Sequence, residues 1–352
     1  VYKDHMLRPP ASPVEQTTTP LLEVRDLTVR FPVGSGWGRA KEYVHAVNGV
    51  SFSIPRGKTL GLVGESGCGK TTTGRATIRL LQPDGGSVSF DGQDIFALSP
   101  NKLRRLRRHM QIVFQDPIGS LNPRMTVGDS IAEPMIVHRV ARGRVLREQV
   151  AMLLERVGLS PDDMHRFPHE FSGGQCQRIG IARAIALKPK LIVCDEPVSA
   201  LDVSVQSQIL NLLSDLQRSY ELTYLFIAHD ITVVRHFCDE IAVMYLGKIV
   251  EQGAANVIHE SPKHPYTQAL ISSAPVLSTN GQSRQRVVLE SEVPSPIDPP
   301  SGCHFHPRCP FADEKCRTES PGLIPRESAA PNQLVACHYA DQDLDITTAT
   351  TH

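Results

Sequence analysis

Residues 64–72 read GESGCGKTT, directly after the apolar run LGLV at 60–63 and at the head of the helix-like text KTTTGRATIRLLQ at 70–82. This is the pattern G-x-x-x-x-G-K-[ST] in the setting it requires, between a strand and a helix. Gly64, Gly67 and Gly69 let the backbone wrap close enough for its N–H groups to cradle phosphate oxygens, with Glu65, Ser66 and Cys68 between them. Lys70 offers a point charge to β- and γ-phosphates, Thr71 offers a hydroxyl to Mg²⁺, and Thr72 completes the loop set. The N-terminus of the helix adds its positive end. The loop predicts a bound nucleoside triphosphate, ATP, with Mg²⁺.

Composition narrows what surrounds that loop. The 352 residues carry 37 basic and 37 acidic side chains, a formal net charge of +0. No global field draws such a chain to nucleic acid or to anionic lipid. The basic run KLRRLRRHM at 102–110 therefore reads as a solvated helix face. Apolar runs such as LIVC at 191–194 are strand-sized, far below the roughly 20 residues that span a bilayer. The opening VYKDHMLRPPASPVEQTTTP is rich in Pro and Thr and has no apolar signal core. It predicts a disordered tail over 1–20 and a cytosolic chain, where structural disulfides are disfavoured.

From Leu21 the text alternates as strands do, in LLEVRDLTVRF, VHAVNGVSFSI and TLGLVG. The helix after Gly69 meets a turn at PDGG, and 120–190 is mostly helical, with 3–4 spacing in REQVAMLLERVGL. A second half then supplies the strands LIVCDE, TYLFIAH and EIAVMYLG, and no internal repeat is present. Strands alternating with helices predict an α/β fold whose largely parallel sheet holds ligands at its carboxyl edge. LIVCDE delivers two carboxylates to that edge. Asp195 suits the Mg²⁺ shell, and Glu196 is placed to polarise an attacking water as general base.

The stretch FSGGQCQRIGIARA at 171–184 resembles the signature of ATP-binding-cassette ATPases. Other motifs of that family follow in order: Gln115 in VFQDP, SALD at 199–202 with Asp202, and His229 in FIAHD. The resemblance implies that Gln115 joins the Mg²⁺ shell beside Thr71 and Asp195, and that His229 holds the γ-phosphate and water in register. Phe31 falls where the family stacks an aromatic on adenine, with Tyr43 as its rival. Ser172, Gly173, Gly174 and Gln175 would open a helix onto the γ-phosphate of the opposite subunit's nucleotide, Cys176 replacing a basic residue common there. The implied fold is a P-loop NTPase cassette over 21–255. It combines a RecA-like core, an antiparallel β subdomain and a helical subdomain at about 116–190.

GSLNPRMTVGDSIAEP, DEPVSALDVSVQ, VMYLGKIVEQG and HPYTQALISSAP make the chain similar to F-type ATPases of bacterial dipeptide and oligopeptide importers. Nickel and glutathione importers share much of the pattern. The resemblance implies a D-type ATPase as heterodimer partner, two permease subunits and an extracytoplasmic binding protein. The chain would then sit peripherally on the cytoplasmic face of the cytoplasmic membrane. Soluble cassettes of DNA repair or translation usually carry two cassettes or a long coiled coil, and neither occurs here.

A segment over 256–300 leads to a cysteine-rich stretch at 301–340 and a disordered tail at 341–352. Cys303, Cys309, Cys316 and Cys337 are spaced C-x5-C-x6-C-x20-C, which does not fit the usual C-x2-4-C of zinc sites. Four thiolates suffice for an iron–sulfur cluster, and Pro310 follows Cys309 as in ferredoxins. Zinc and free buried thiols remain alternatives, with His304, His306 and His338 as substitute ligands. The family resemblance implies a [4Fe–4S] cluster; a Pro-rich segment with few large apolar residues predicts that the metal centre staples a small accessory domain, and that ATP binding at the distant Lys70 largely survives its loss.

Overall fold

The computed structural model describes residues 19–33, 42–273, 292–342 and 344–346. The expected N-terminal tail lies outside them up to residue 18, as do 274–291 of the connecting segment and the end beyond 346.

β1 (Leu22–Val33) and β2 (Glu42–Ile54) open the fold, and β3 (Thr59–Val63) runs into the phosphate loop and α1 (Lys70–Thr77). β4 (Gly85–Phe90), β5 (Gln93–Asp94), α2 (Pro100–Leu106) and β6 (Met110–Val113) follow. The helical region comprises α3 (Val127–Val137), α4 (Gly143–Arg156) and α5 (Gly173–Ile185). Then come β7 (Leu191–Asp195), α6 (Val203–Tyr220), β8 (Thr223–Ala228), α7 (Ile231–Phe237) and β9 (Glu240–Tyr245). β10 (Lys248–Ala254), α8 (Ala255–Glu260), α9 (Pro265–Ser273), α10 (Glu314–Thr318), β11 (Ile324–Pro325) and β12 (Leu334–Val335) complete the described chain.

The strands form two sheets. The smaller runs β2-β1-β4-β5 with antiparallel neighbours. The larger runs β11-β12-β10-β9-β3-β8-β7-β6, parallel from β9 to β6. Every residue of β3, β7 and β8 is buried, as a parallel sheet covered on both faces demands. The apolar spacing of α4 buries Val150 and Leu154 against α3 and α5 and leaves its charges in water. The basic run is a solvated face: only Leu103 of α2 is buried. α1 is shorter than the expected 70–82. It stops at Thr77 because Arg79 turns left-handed (φ 52°) and donates to the carbonyls of Ile95 and Leu98, both at 2.8 Å.

The cysteine-rich stretch is an appendage of the large sheet rather than a module with its own core. β12 pairs with β10, and Phe305, 1% exposed, belongs to the main hydrophobic core. It meets Tyr245 edge-on at 5.3 Å and Tyr266 at 5.5 Å between ring centroids. Beneath lies a buried polar knot. The fully buried Glu251 accepts from the backbone N–H groups of Lys263 (2.8 Å) and His264 (3.0 Å) and from Nε2 of Gln333 (2.7 Å). Gln333 thereby ties the C-terminal stretch to β10 at a carboxylate that burial would otherwise penalise.

His264 in this knot accepts the Tyr266 N–H on Nδ1 at 3.1 Å, and burial depresses its pKa from 6.5 to about 3. Between those values the unfolded chain binds a proton that the folded chain refuses, so stability falls as pH falls. His264→Asn should therefore lose about 2 kcal/mol less than wild type between pH 7 and pH 5, read from urea midpoints. Burial raises the pKa of Glu251, an effect of opposite sign that both proteins share and the difference cancels. Equal losses would show that His264 is not held neutral.

Candidate functional site

The parallel register builds the site. Val63 pairs with Ala228, Asp195 with Ile227, and Val113 with Cys194. Strand ends are therefore level, and the residues just past them converge: Gly64 onward, His229, Glu196 and Gln115. Glu196 takes a left-handed backbone (φ 46°), a costly state for a non-glycine residue, and its N–H donates to Ile227 at 3.1 Å. That turn brings its Oε2 to 2.9 Å from Nε2 of Gln115 and 3.5 Å from Nδ1 of His229. The three residues expected to act together meet at one carboxylate oxygen.

Opposite them is the phosphate loop. Gly67 (φ 80°) and Gly69 (φ 105°) hold backbone angles that side chains rarely adopt. A Cβ on Gly69 would also stand 2.0 Å from the Ala46 carbonyl. Lys70, 4% exposed, donates to the carbonyls of Gly64 (2.8 Å) and Glu65 (2.9 Å). Those bonds satisfy an ammonium that phosphate oxygens would otherwise engage. Thr71 donates to Oδ1 of the fully buried Asp195 at 2.7 Å, and Arg75 lies 3.4 Å from Oδ2. A hydroxyl and a carboxylate in contact are hard oxygen donors, the chemistry that Mg²⁺ takes alongside nucleotide phosphates. Thr71 and Asp195 fit that ion, with the Gln115 side chain within the same cleft.

Phe31 (38% exposed) lines this cleft with Ser66, Gly67, Gly69, Lys70, Thr71, Thr72, Gln115, Glu196 and His229, above the buried Asp195. Its rival Tyr43 lies under the Arg30 guanidinium, 5.6 Å from the ring centroid, and does not line it. Val44 and Ala46 also line the cleft and were not foreseen; their alternation on β2 is the signal that marks them. Cys68 is buried behind the loop, where desolvation raises its thiol pKa. Glu65 turns the other way, toward the C-terminal stretch.

The signature residues stand apart from the cleft. Ser172 caps α5 in a reciprocal box, accepting from the Gln175 N–H (3.3 Å) while its own N–H donates to Oε1 of Gln175 (3.0 Å). Gly173 and Gly174 follow beside Leu201 and Val205, and a Cβ on Gly174 would meet Val205 at 2.6 Å. Asp202 caps α6 through the Val205 N–H at 3.0 Å. None of these five lines the phosphate cleft.

The expected iron–sulfur cluster is overturned. Among the described residues, no group of three or more His, Cys, Asp or Glu side chains is placed to hold a metal ion. Cys303, Cys309, Cys316 and Cys337 are free thiols lining one small cavity with Phe305 and Phe311. Burial raises the thiol pKa of Cys309 to about 12 and that of Cys337 to about 11. His304 and His306 each bond a backbone carbonyl through Nδ1, that of Leu246 (2.9 Å) and that of Cys303 (3.0 Å), and His338 bonds that of Glu319 through Nε2 (2.9 Å). Cys316 is buried and the other three are partly buried.

A glycine-rich phosphate cradle, a buried Asp–Thr pair and the SGGQ stretch that opens α5 mark an ATPase of the ATP-binding-cassette class. Residues 47–199 match the ABC transporter family, and 250–316 match the oligopeptide/dipeptide transporter C-terminal region. The chain is 53% identical over 321 residues to the oligopeptide transport ATP-binding protein AppF of Bacillus subtilis (strain 168), spanning 90% of this chain and 97% of that one. It is 54% identical over 292 residues to the glutathione import ATP-binding protein GsiA of Escherichia coli (strain K12), spanning 82% of this chain and 47% of that one. A dimeric ATP-binding cassette in a post-hydrolysis state, bound to ADP and Pi, matches at a TM-score of 0.60 and 28% identity, over 66% of this chain and 98% of that one. The chain belongs to the ATP-binding proteins of the oligopeptide/dipeptide ABC transporter family.

Proposed function

We propose that this chain is the ATP-hydrolysing subunit of an importer that takes up dipeptides or oligopeptides. The observation that carries the reading is the joined cleft, in which Lys70, Thr71, Asp195, Glu196, Gln115 and His229 converge. The match of 250–316 to the peptide transporters' own C-terminal region supports the substrate class over glutathione. Phe31 stacks on adenine, while Ser66, Gly67, Gly69, Lys70 and Thr72 hold the phosphates. Glu196 takes a proton from the attacking water, and His229, against the same oxygen, fixes where that water and the γ-phosphate sit. Mg²⁺, held by Thr71, Asp195 and Gln115, would neutralise charge on the phosphates.

The cassette occupies 21–255, with its helical subdomain at about 116–190, and 301–340 forms a smaller accessory layer on the large sheet. Ser172, Gly173, Gly174, Gln175 and Asp202 serve the nucleotide of a facing D-type ATPase, since they lie outside this chain's own cleft. Two permeases carry the pair on the cytoplasmic face of the membrane, and a binding protein outside delivers peptide. Among the described residues no helix is long and apolar enough to cross a membrane, so this reading assigns the path to separate chains. Ile118, Ile136, Val137 and Met152 remain exposed on the helical region and supply apolar surface for a permease.

Glu196→Gln should keep ATP binding and cut phosphate release by about 10²–10⁴-fold, measured in the assembled transporter with the partner's own site inactivated. Unchanged turnover would remove Glu196 from the role. Gln115 bridges the catalytic carboxylate to the loop that enters the helical region, so Gln115→Ala should uncouple transport from hydrolysis. Peptide taken up per ATP in proteoliposomes should fall several-fold while nucleotide affinity changes little. A normal ratio would sink the assignment.

A further inference from the structure

Arg308 of the cysteine-rich stretch reaches the phosphate loop across 243 residues of sequence. Its Nη1 donates to Oε2 of Glu65 at 2.8 Å and its Nη2 to Oε1 at 3.2 Å, a fork on both oxygens of one carboxylate. The Arg308 side chain is 6% exposed and Glu65 29%. The guanidinium also lies over Tyr245, 5.8 Å from the ring centroid. The Glu65 N–H donates to the Tyr266 hydroxyl at 2.9 Å, and the Glu65 carbonyl accepts from Lys70. Glu65 is thus gripped at backbone N–H, carbonyl and side chain, two of these by residues beyond the cassette motifs.

The position makes that grip consequential. Glu65 is the second residue of a loop whose task is to bind a polyanion, and an unpaired carboxylate there opposes the phosphates. Arg308 cancels the charge and points the carboxylate away from the cleft. The cradle's N–H groups then need less ordering when nucleotide arrives.

We infer that Arg308 is a positioning residue for ATP binding, acting through Glu65, so that the C-terminal stretch tunes the nucleotide affinity of the cassette. This rests on the nucleotide reading of the cleft. It departs from the expectation that disturbing the tail leaves the distant ATP site untouched.

The test is MgADP binding to the full chain by calorimetry, with a thermal melt of each variant. Arg308→Gln should weaken binding about tenfold, while the double variant Glu65→Gln/Arg308→Gln regains most of that loss because no unpaired carboxylate remains. In the assembled transporter Arg308→Gln should raise the KM for ATP by a similar factor and change kcat less than twofold. A merely structural pair predicts the reverse, a double variant no better than the single one. That result, or wild-type affinity in a folded Arg308→Gln, overturns the inference. Should Arg308→Gln not fold, Arg308→Lys keeps the charge and loses the fork. Binding about threefold weaker is then expected, and unaltered affinity overturns the proposal. A wild-type chain that binds no MgADP would instead remove the nucleotide reading itself.

Discussion

The parallel register of β6, β7, β8 and β3 is the constraint on which the rest depends. Hydrogen bonds that align Val113 with Cys194, Asp195 with Ile227 and Ala228 with Val63 leave four chain segments emerging at one height. A slip of one residue would invert every side chain between the faces of the sheet. Alternate residues fill two different cores, Tyr224 and Phe226 in one and Leu225 and Ile227 in the other, so a slip would overpack one core and leave voids in its neighbour. Core packing therefore sets the distance between Gln115 and Glu196, although neither contributes to the core.

Strain at Glu196 follows from the same source. A left-handed non-glycine residue costs on the order of 1–3 kcal/mol and persists only where its surroundings over-determine it. Here Asp195 is fixed by sheet pairing and by Thr71, and the Glu196 N–H is taken by Ile227. Relaxing the turn would break those bonds before it moved the carboxylate. A carboxylate held this way needs little reorganisation to act on a molecule bound in the cleft.

Much of this was legible because its signals are local. The spacing from Gly64 to Thr71 encodes a loop conformation, and Asp195 with Glu196 mark a strand end directly. The level of the strand ends was legible only as a class of fold, since register arises from packing between distant segments. The end of α1 was missed because the Arg79 side chain satisfies carbonyls of Ile95 and Leu98, a tertiary bond that local helix propensity does not carry. The cysteines misled for a related reason. Spacing describes the chain between thiols, whereas ligation depends on where their sulfurs point, and here they line one small cavity without forming a metal-holding group among the described residues. Phe305 offered no periodic signal, yet its insertion beside Tyr245 and Tyr266 is what joins the stretch to the main core.

That insertion explains why the C-terminal stretch needs no core of its own. A Pro-rich segment with few large apolar residues cannot offset its ordering entropy alone. It uses instead an existing sheet edge at β10, the buried Glu251 that Gln333 satisfies, and an aromatic pocket already built by the cassette. Two of those contacts are with residues that also face the nucleotide-binding half. Tyr266 packs on Phe305 and holds the Glu65 N–H, and Tyr245 lies beside both Phe305 and Arg308. Folding of the stretch and ordering of the phosphate loop are consequently parts of one packing problem. Two aromatic rings and one arginine carry the link.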